Sequence, residues 1–159
     1  MGLRLSPTND ELCYFVTTSF YKNQRFGDIQ GVYRIIAESI NNRLQKTKAL
    51  LIGYVFMPSH IHLLLLISGD KLSGFMRDFK KYTAQKGLKD IIRERTIWQS
   101  RFDRVGIWNE NVLRTKLEYI HNNPVKAGLV TRPEDWQWSS ARDYYIEEQG
   151  PLPVWKGWI

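Results

Sequence analysis

Leu50-Leu51-Ile52-Gly53-Tyr54-Val55-Phe56-Met57-Pro58-Ser59-His60-Ile61-His62-Leu63-Leu64-Leu65-Leu66-Ile67-Ser68 decides the fold, because two apolar runs are parted by one Pro-Ser turn. Short apolar runs rich in β-branched and aromatic residues, bounded by turn formers, predict strands at Leu50 to Met57 and Ile61 to Ile67, paired as a hairpin. His60 and His62 stand where the second strand begins and opens onto the surface. At a spacing of two on a strand both imidazoles leave the same face, so they can grip one divalent ion. On these two residues alone, a hydrogen-bonded pair of core histidines is an equal alternative.

Working outward, Cys13 to Ser19 is a further strand, and Tyr21 to Gln30 is a polar loop carrying Lys22 and Arg25. Val32, Ile35, Ile36, Ile40 and Leu44 recur at threes and fours and predict an amphipathic helix. After Ser68-Gly69-Asp70, a second such helix carries Leu72, Phe75, Met76, Phe79 and Tyr82 and runs to about Lys86, with Gly87 interrupting it. A weaker segment, Ile97 to Val105, alternates enough for a fourth strand, either continuous or broken by the basic stretch around Arg101 and Arg104. The order strand, helix, strand, strand, helix, strand is the ferredoxin-like α+β arrangement, an antiparallel sheet covered on one face by two helices. A third helix spans Asn109 to Asn122 and is expected to stop where Pro124 disfavours helical geometry at Asn123. One domain is expected over 12–145, with 146–159 as a tail whose last ten residues are mobile. The segment from Pro133 onward, with Trp136, Trp138, a short Ser139 to Tyr145 helix and a Pro-containing end, reads as packing against the core.

With 159 residues the chain is long enough to bury a core without metal or disulfide staples. Twenty-three Lys and Arg against 16 Asp and Glu give a net charge of +7, which calls for an anionic partner, nucleic acid before membrane. The longest apolar stretch, Leu63 to Ile67, is far short of the ~20 residues that span a bilayer, and no signal-peptide core follows the N-terminus. A cytoplasmic, nucleoid-associated location follows. Cys13 is expected as a small buried hydrophobe, and Gly2 with Ser6 fits an N-myristoylation pattern only formally.

Tyr119 and Asn123 lie four residues apart on the third helix, one turn of ~5.4 Å, so a phenol and a carboxamide point the same way. If this face meets the strand end, His60, His62 and Asn123 supply two nitrogens and an oxygen to one metal, with Tyr119 beside it. A tyrosine with a pKa of ~10 is a poor nucleophile at neutral pH unless a metal or basic neighbours assist it. A metal on a non-bridging phosphate oxygen polarises the phosphorus, so the set suits phosphodiester transesterification.

Five ordered blocks carry a resemblance: Met57-Pro58-Ser59-His60-Ile61-His62-Leu63-Leu64, Tyr82-Thr83, Trp98-Gln99-Ser100-Arg101-Phe102, the run from Tyr119-Ile120-His121-Asn122-Asn123-Pro124 to Val130, and Trp136-Gln137-Trp138-Ser139-Ser140. Together they cover about residues 12 to 145, and the chain thereby resembles the HUH-type single-tyrosine transposases, most closely the REP-associated tyrosine transposases. The resemblance implies Mg²⁺ or Mn²⁺ held by His60, His62 and Asn123, and Tyr119 attacking single-stranded DNA. It further implies a 5′-phosphotyrosine intermediate, rejoining by a 3′-hydroxyl without ATP, and a palindromic hairpin beside a single-stranded guide. Many relatives carry an Arg-Gly element just after the first strand, where this chain has Thr17-Thr18-Ser19-Phe20-Tyr21-Lys22-Asn23-Gln24-Arg25-Phe26 without that glycine. The repeat-associated branch implies a monomer.

Arg25, Lys80, Lys81, Arg101, Arg104 and Lys126 are candidates for phosphate contacts, with Arg77 and Lys86 nearby. Tyr82, Trp98 and Trp108 are candidates for stacking on unpaired bases, although aromatic residues more often fill cores. His121 points to another helix face than Tyr119 and serves as a structural hydrogen-bonding residue or a DNA contact. An inactive repeat-binding regulator on the same fold is the competing function. A generic RNA-binding domain lacks its aromatic strand motif here.

Overall fold

The computed structural model describes residues 11–159, so Gly2 and Ser6 lie outside the described residues. The expected hairpin forms from β2 (Leu50–Phe56) and β3 (His60–Ser68), closed by a 2.8 Å hydrogen bond from Met57 N to His60 O. Around it the chain lays down β1 (Glu11–Ser19), α1 (Val32–Thr47), α2 (Gly69–Tyr82), β4 (Asp103–Ile107), α3 (Glu110–Lys126) and the short α4 (Ala141–Tyr145). The sheet is antiparallel in the order β2-β3-β1-β4, as the ferredoxin-like expectation requires.

Strand periodicity sorts the side chains onto two faces. Val16, Ile61, Leu63, Leu65 and Ile67 pack against α1 and α2, together with Ile36, Ile40, Leu72, Phe75 and Phe79. On the opposite face Cys13, Phe15, Leu64 and Ile107 meet Leu113, Leu117 and Ile120 of α3. A register shift between Leu51 and Gly53 re-aims β2, and Gly53 lets α3 approach: a Cβ there would stand 2.5 Å from Leu117 Cδ1. The Cys13 thiol is buried and desolvation pushes its pKa up to about 12, as expected of a packed hydrophobe.

Three expectations are corrected. The fourth strand is not continuous from Ile97: Trp98 makes only an isolated bridge to Phe20, and the ladder begins at Asp103 opposite Thr17. Ile97 and Trp98 turn into the α1/α2 core instead, with Trp98 stacked on Phe20 at 4.6 Å and its indole N–H donating to Thr83 Oγ1 at 2.9 Å. Secondly, α3 runs through Asn123 and Pro124 to Lys126. The bias of a pre-proline residue against helical geometry is overridden because Ile120, His121 and Pro124 are all buried, and Ala127 N to Asn123 O and Leu129 N to Pro124 O continue the turn. Thirdly, the final residues are packed. Leu152 and Trp158 are buried and Trp155 N donates to Leu51 O at 2.8 Å, so this segment and Trp138 to Ser140 cover the outer edge of β2. Among the described residues no helix is long and apolar enough to cross a membrane.

Candidate active site

On the face that carries α3, the ladder register puts Ser19 opposite His60 and Thr17 opposite both His62 and Asp103. α3 covers this face around Cys13, Phe15 and Leu64 and reaches the buried His62, while His60, Thr17 and Ser19 at the strand end are partly exposed. Because His60 and His62 share a face, their ring centroids lie 4.7 Å apart. His62 stacks on Phe15 at 5.1 Å, and the Tyr119 ring meets His62 edge-on at 5.6 Å and Phe15 at 6.1 Å. Tyr119 itself is half exposed. The structure therefore brings His60, His62 and Tyr119 together, and helical continuity puts Asn123 one turn beyond Tyr119.

Hydroxyl groups orient both imidazoles. Thr17 Oγ1 lies 2.8 Å from His62 Nδ1, and Ser59 Oγ 3.0 Å from His60 Nδ1. In the tautomer whose Nδ1–H donates to the hydroxyl, each Nε2 keeps its lone pair for a ligand. Burial holds both histidines below the ordinary imidazole range, His62 down to about 3, with the neighbouring His60 and the Lys116 ammonium adding to the effect on His62. At neutral pH both are neutral, which metal ligation requires.

The donor set can be tested against a divalent ion. His62 Nε2 is buried without a hydrogen-bond partner, and on a neutral imidazole that nitrogen can carry the lone pair a divalent ion takes. Among the described residues no cluster of three His, Cys, Asp or Glu exists, so the histidine pair supplies the only two such donors at this point. These residues fit a metal.

Three neighbours escaped the sequence reading. Thr17 needed the strand register to be placed beside His62, and no sequence pattern supplies that. Phe15, the platform shared by His62 and Tyr119, needed it equally. Lys116 was legible, since it precedes Tyr119 by three residues on a helix; its Nζ lies 4.9 Å from the Phe15 ring centroid.

The proposed DNA contacts divide. Arg77, Lys80, Lys81 and Arg95 line a cleft of about 420 Å³ between α2 and the segment 95–102, which supports phosphate tracking there. Lys80 also braces this segment, donating to the carbonyls of Gln99 and Arg101. Arg101 lines a second, polar cavity on the other side of the same segment, Arg104 is exposed on the edge strand β4, and Lys126 is exposed at the end of α3. Arg25 is exposed and paired with Asp28 at 2.8 Å. Of the aromatic residues, Tyr82 and Trp108 are exposed, whereas Trp98 is 6% exposed with its indole N–H and one face already engaged, so it cannot stack on a base. His121 is buried between Ser140 Oγ at 2.7 Å and Tyr145 OH at 3.3 Å, a structural role.

Comparison with known proteins bears on this geometry. The family model described as "Transposase IS200 like" matches residues 12–123. An Escherichia coli (strain K12) protein named REP-associated tyrosine transposase is 29% identical over 130 residues, covering 80% of this chain and 74% of its own. A Haemophilus influenzae protein of the same designation, provisional in its case, is 32% identical over 118 residues, which are 64% of this chain and 67% of its own. A solved REP-associated tyrosine transposase bound to a REP hairpin superposes with a TM-score of 0.73 at 25% identity, covering 91% of this chain and 89% of that one.

Proposed function

Because the chain belongs to the IS200-like transposase family and aligns within it to REP-associated tyrosine transposases, we propose that it is a metal-dependent single-strand DNA endonuclease and strand transferase. It cleaves at or beside palindromic hairpins, with Tyr119 as nucleophile. The observation that carries this is the convergence of the Tyr119 ring on His62 at 5.6 Å, with His62 Nε2 buried and free of any hydrogen-bond partner.

His60 and His62 through Nε2, and Asn123 through its carboxamide oxygen, would hold the metal. When bound, Mg²⁺ or Mn²⁺ neutralises a non-bridging phosphate oxygen and polarises the phosphorus. Two imidazoles and one amide favour Mn²⁺ of the two, since Mg²⁺ strongly prefers oxygen donors. The Tyr119 Oη attacks the phosphorus; a bond to the phenolic oxygen forms, the bond to the 3′-oxygen breaks, and a 5′-phosphotyrosine with a free 3′-hydroxyl results. Rejoining is the reverse displacement by a 3′-hydroxyl. Lys116 adds a positive charge beside the site that favours phosphate. The C-terminal end of α3 has the opposite sign and attracts a cation.

The cationic cleft along α2 leads over segment 99–102 to the open face, which supports a path for the DNA backbone. The test is an end-labelled single-stranded hairpin incubated with the protein and Mn²⁺ or EDTA. Nicking and rejoining with Mn²⁺, lost in EDTA and in Tyr119→Phe, is expected. Hairpin binding without a nick in any divalent metal would leave a repeat-binding regulator in place of the transferase.

A further inference from the structure

A cavity of about 590 Å³ opens at the first turn of α1, and it shares no lining residue with the α2 cleft or the histidine pair. The leading N–H groups of a helix lack intrahelical partners and carry the positive end of its dipole. Here no side chain caps them. Gly31 holds the cap position in the left-handed region with φ of 93°, and no acidic residue occupies the first turn. Val32 N is taken up by Ile29 O at 3.2 Å, whereas the amides of Tyr33 and Arg34 have no partner among the described residues.

A second observation points into the same space. Tyr33 is 8% exposed and lines the cavity, and its Oη is buried with no hydrogen-bond partner. Burial pushes this phenol's pKa up, with Asp28 adding to the effect, so it keeps a proton to donate. Gly27, also in the lining, leaves room at the hydroxyl, since a Cβ there would stand 2.5 Å from Tyr33 Oη. Buried donors without acceptors are rare in folded proteins and call for a reason. Arg34 is exposed at the mouth and has no ion pair among the described residues. The one acid in the lining, Asp28, is held by Arg25 at 2.8 Å, which compensates its charge. Ile29, Ile91 and the partly exposed Trp138 ring, stacked on Phe56 at 6.1 Å, give the cavity an apolar wall.

We propose that this cavity binds a nucleoside monophosphate, its phosphate on the Tyr33 and Arg34 amides, the Tyr33 hydroxyl and the Arg34 guanidinium, and its base against Ile91 and Trp138. The site is independent of the transferase reading and goes beyond it. Several donors converging on a helix N-terminus suit a phosphate, which only accepts at neutral pH. A monoester brings about −1.5 to −2 charge there, more than one phosphate of a DNA strand. Bare phosphate would leave the apolar wall unused, whereas a flat nucleobase covers it. The volume also lies within the roughly 300–1,000 Å³ of ordinary small-molecule sites.

The experiment follows the backbone amides and indole N–H groups of the isotopically labelled full chain by NMR. It is titrated with adenosine 5′-monophosphate, adenosine, inorganic phosphate and a single-stranded oligonucleotide. The monophosphate should saturate and move the Tyr33 and Arg34 amides together with the Trp138 indole, and phosphate should move the amides alone. Arg34→Gln should weaken monophosphate binding by about tenfold, the worth of one charge-assisted hydrogen bond. Tyr33→Phe should weaken it too, yet raise the thermal midpoint of the unliganded protein, because it removes a buried donor that only the ligand satisfies. No saturable movement of these signals, equal affinity for adenosine, or an affinity unchanged in both variants would overturn the proposal. Movement with the oligonucleotide alone would give the cavity to the DNA backbone and overturn it as well. None of these readouts needs strand cleavage, so failure of the Tyr119 chemistry would leave them intact.

Discussion

Thr17 illustrates how one residue tunes the site. Its hydroxyl fixes the His62 ring through Nδ1 at 2.8 Å, so the valine that keeps its shape should release the imidazole without disturbing β1. Loss of such an outer partner typically weakens metal binding by about 10- to 100-fold. Thr17→Val should therefore raise the Mn²⁺ dissociation constant in a calorimetric titration by that order while its thermal midpoint stays near that of the unmodified protein. An unchanged Mn²⁺ affinity would remove the hydroxyl from the metal site. The histidine pair and Tyr119 were legible at this scale because spacing two on a strand and spacing four on a helix fix faces without any knowledge of tertiary structure. Thr17 was not, because its place beside His62 exists only through the strand register.

At the scale of elements, the tyrosine helix is positioned by close approach and by one buried histidine. Gly53 admits Leu117 of α3, and a Cβ at this point would meet Leu117 Cδ1 at 2.5 Å and Ser140 Oγ at 3.2 Å. Gly53→Ala should cost about 1–3 kcal/mol by overpacking, read by chemical denaturation, and lower the cleavage rate further than the unfolded fraction explains. A fully active, fully stable Gly53→Ala would show that α3 does not need this seat.

His121 ties the same helix to Ser140 and Tyr145, and burial pushes its pKa down to about 3. An unfolded histidine titrates near ~6.5, so between these values the unfolded chain binds the extra proton. The stabilisation is full above ~6.5 and drains away as pH falls toward 3. Thermal midpoints measured over this window should fall more steeply for the unmodified protein than for His121→Asn. Parallel curves would show that His121 does not titrate on unfolding. Element boundaries were read well where periodicity was strong, and missed where it competed with packing. Ile97 and Trp98 alternate like a strand yet leave the sheet for the helical core, and Pro124 looked like a stop yet rides inside a helix that burial holds together.

For the whole molecule, charge sets the reach of DNA binding. On the proposed function, a net charge of +7 and a cleft lined by Arg77, Lys80, Lys81 and Arg95 would make hairpin affinity largely counterion release. The logarithm of affinity should fall linearly with the logarithm of salt concentration, and Lys81→Ala should reduce the slope by about one while lowering affinity on every sequence alike. A slope unaffected by Lys81→Ala would move the DNA path off α2. The antiparallel sheet and its two helices were legible from pattern alone. Packing of the segment from Pro133 was read too, but not that of the last ten residues, whose partner is the edge of β2, and an edge needing cover is visible only once the strand order is known.

The central claim is that the Tyr119 phenol forms a covalent bond to DNA phosphate under the direction of the histidine pair. Its most direct test is mass spectrometry of the proteolysed product after incubation with a single-stranded hairpin and Mn²⁺. A nucleotide joined through its 5′-phosphate to the peptide containing Tyr119, absent in EDTA and in His62→Ala, is the expected result. Adduct on another residue, or nicked DNA with no adduct trapped at any time during turnover, would contradict the mechanism.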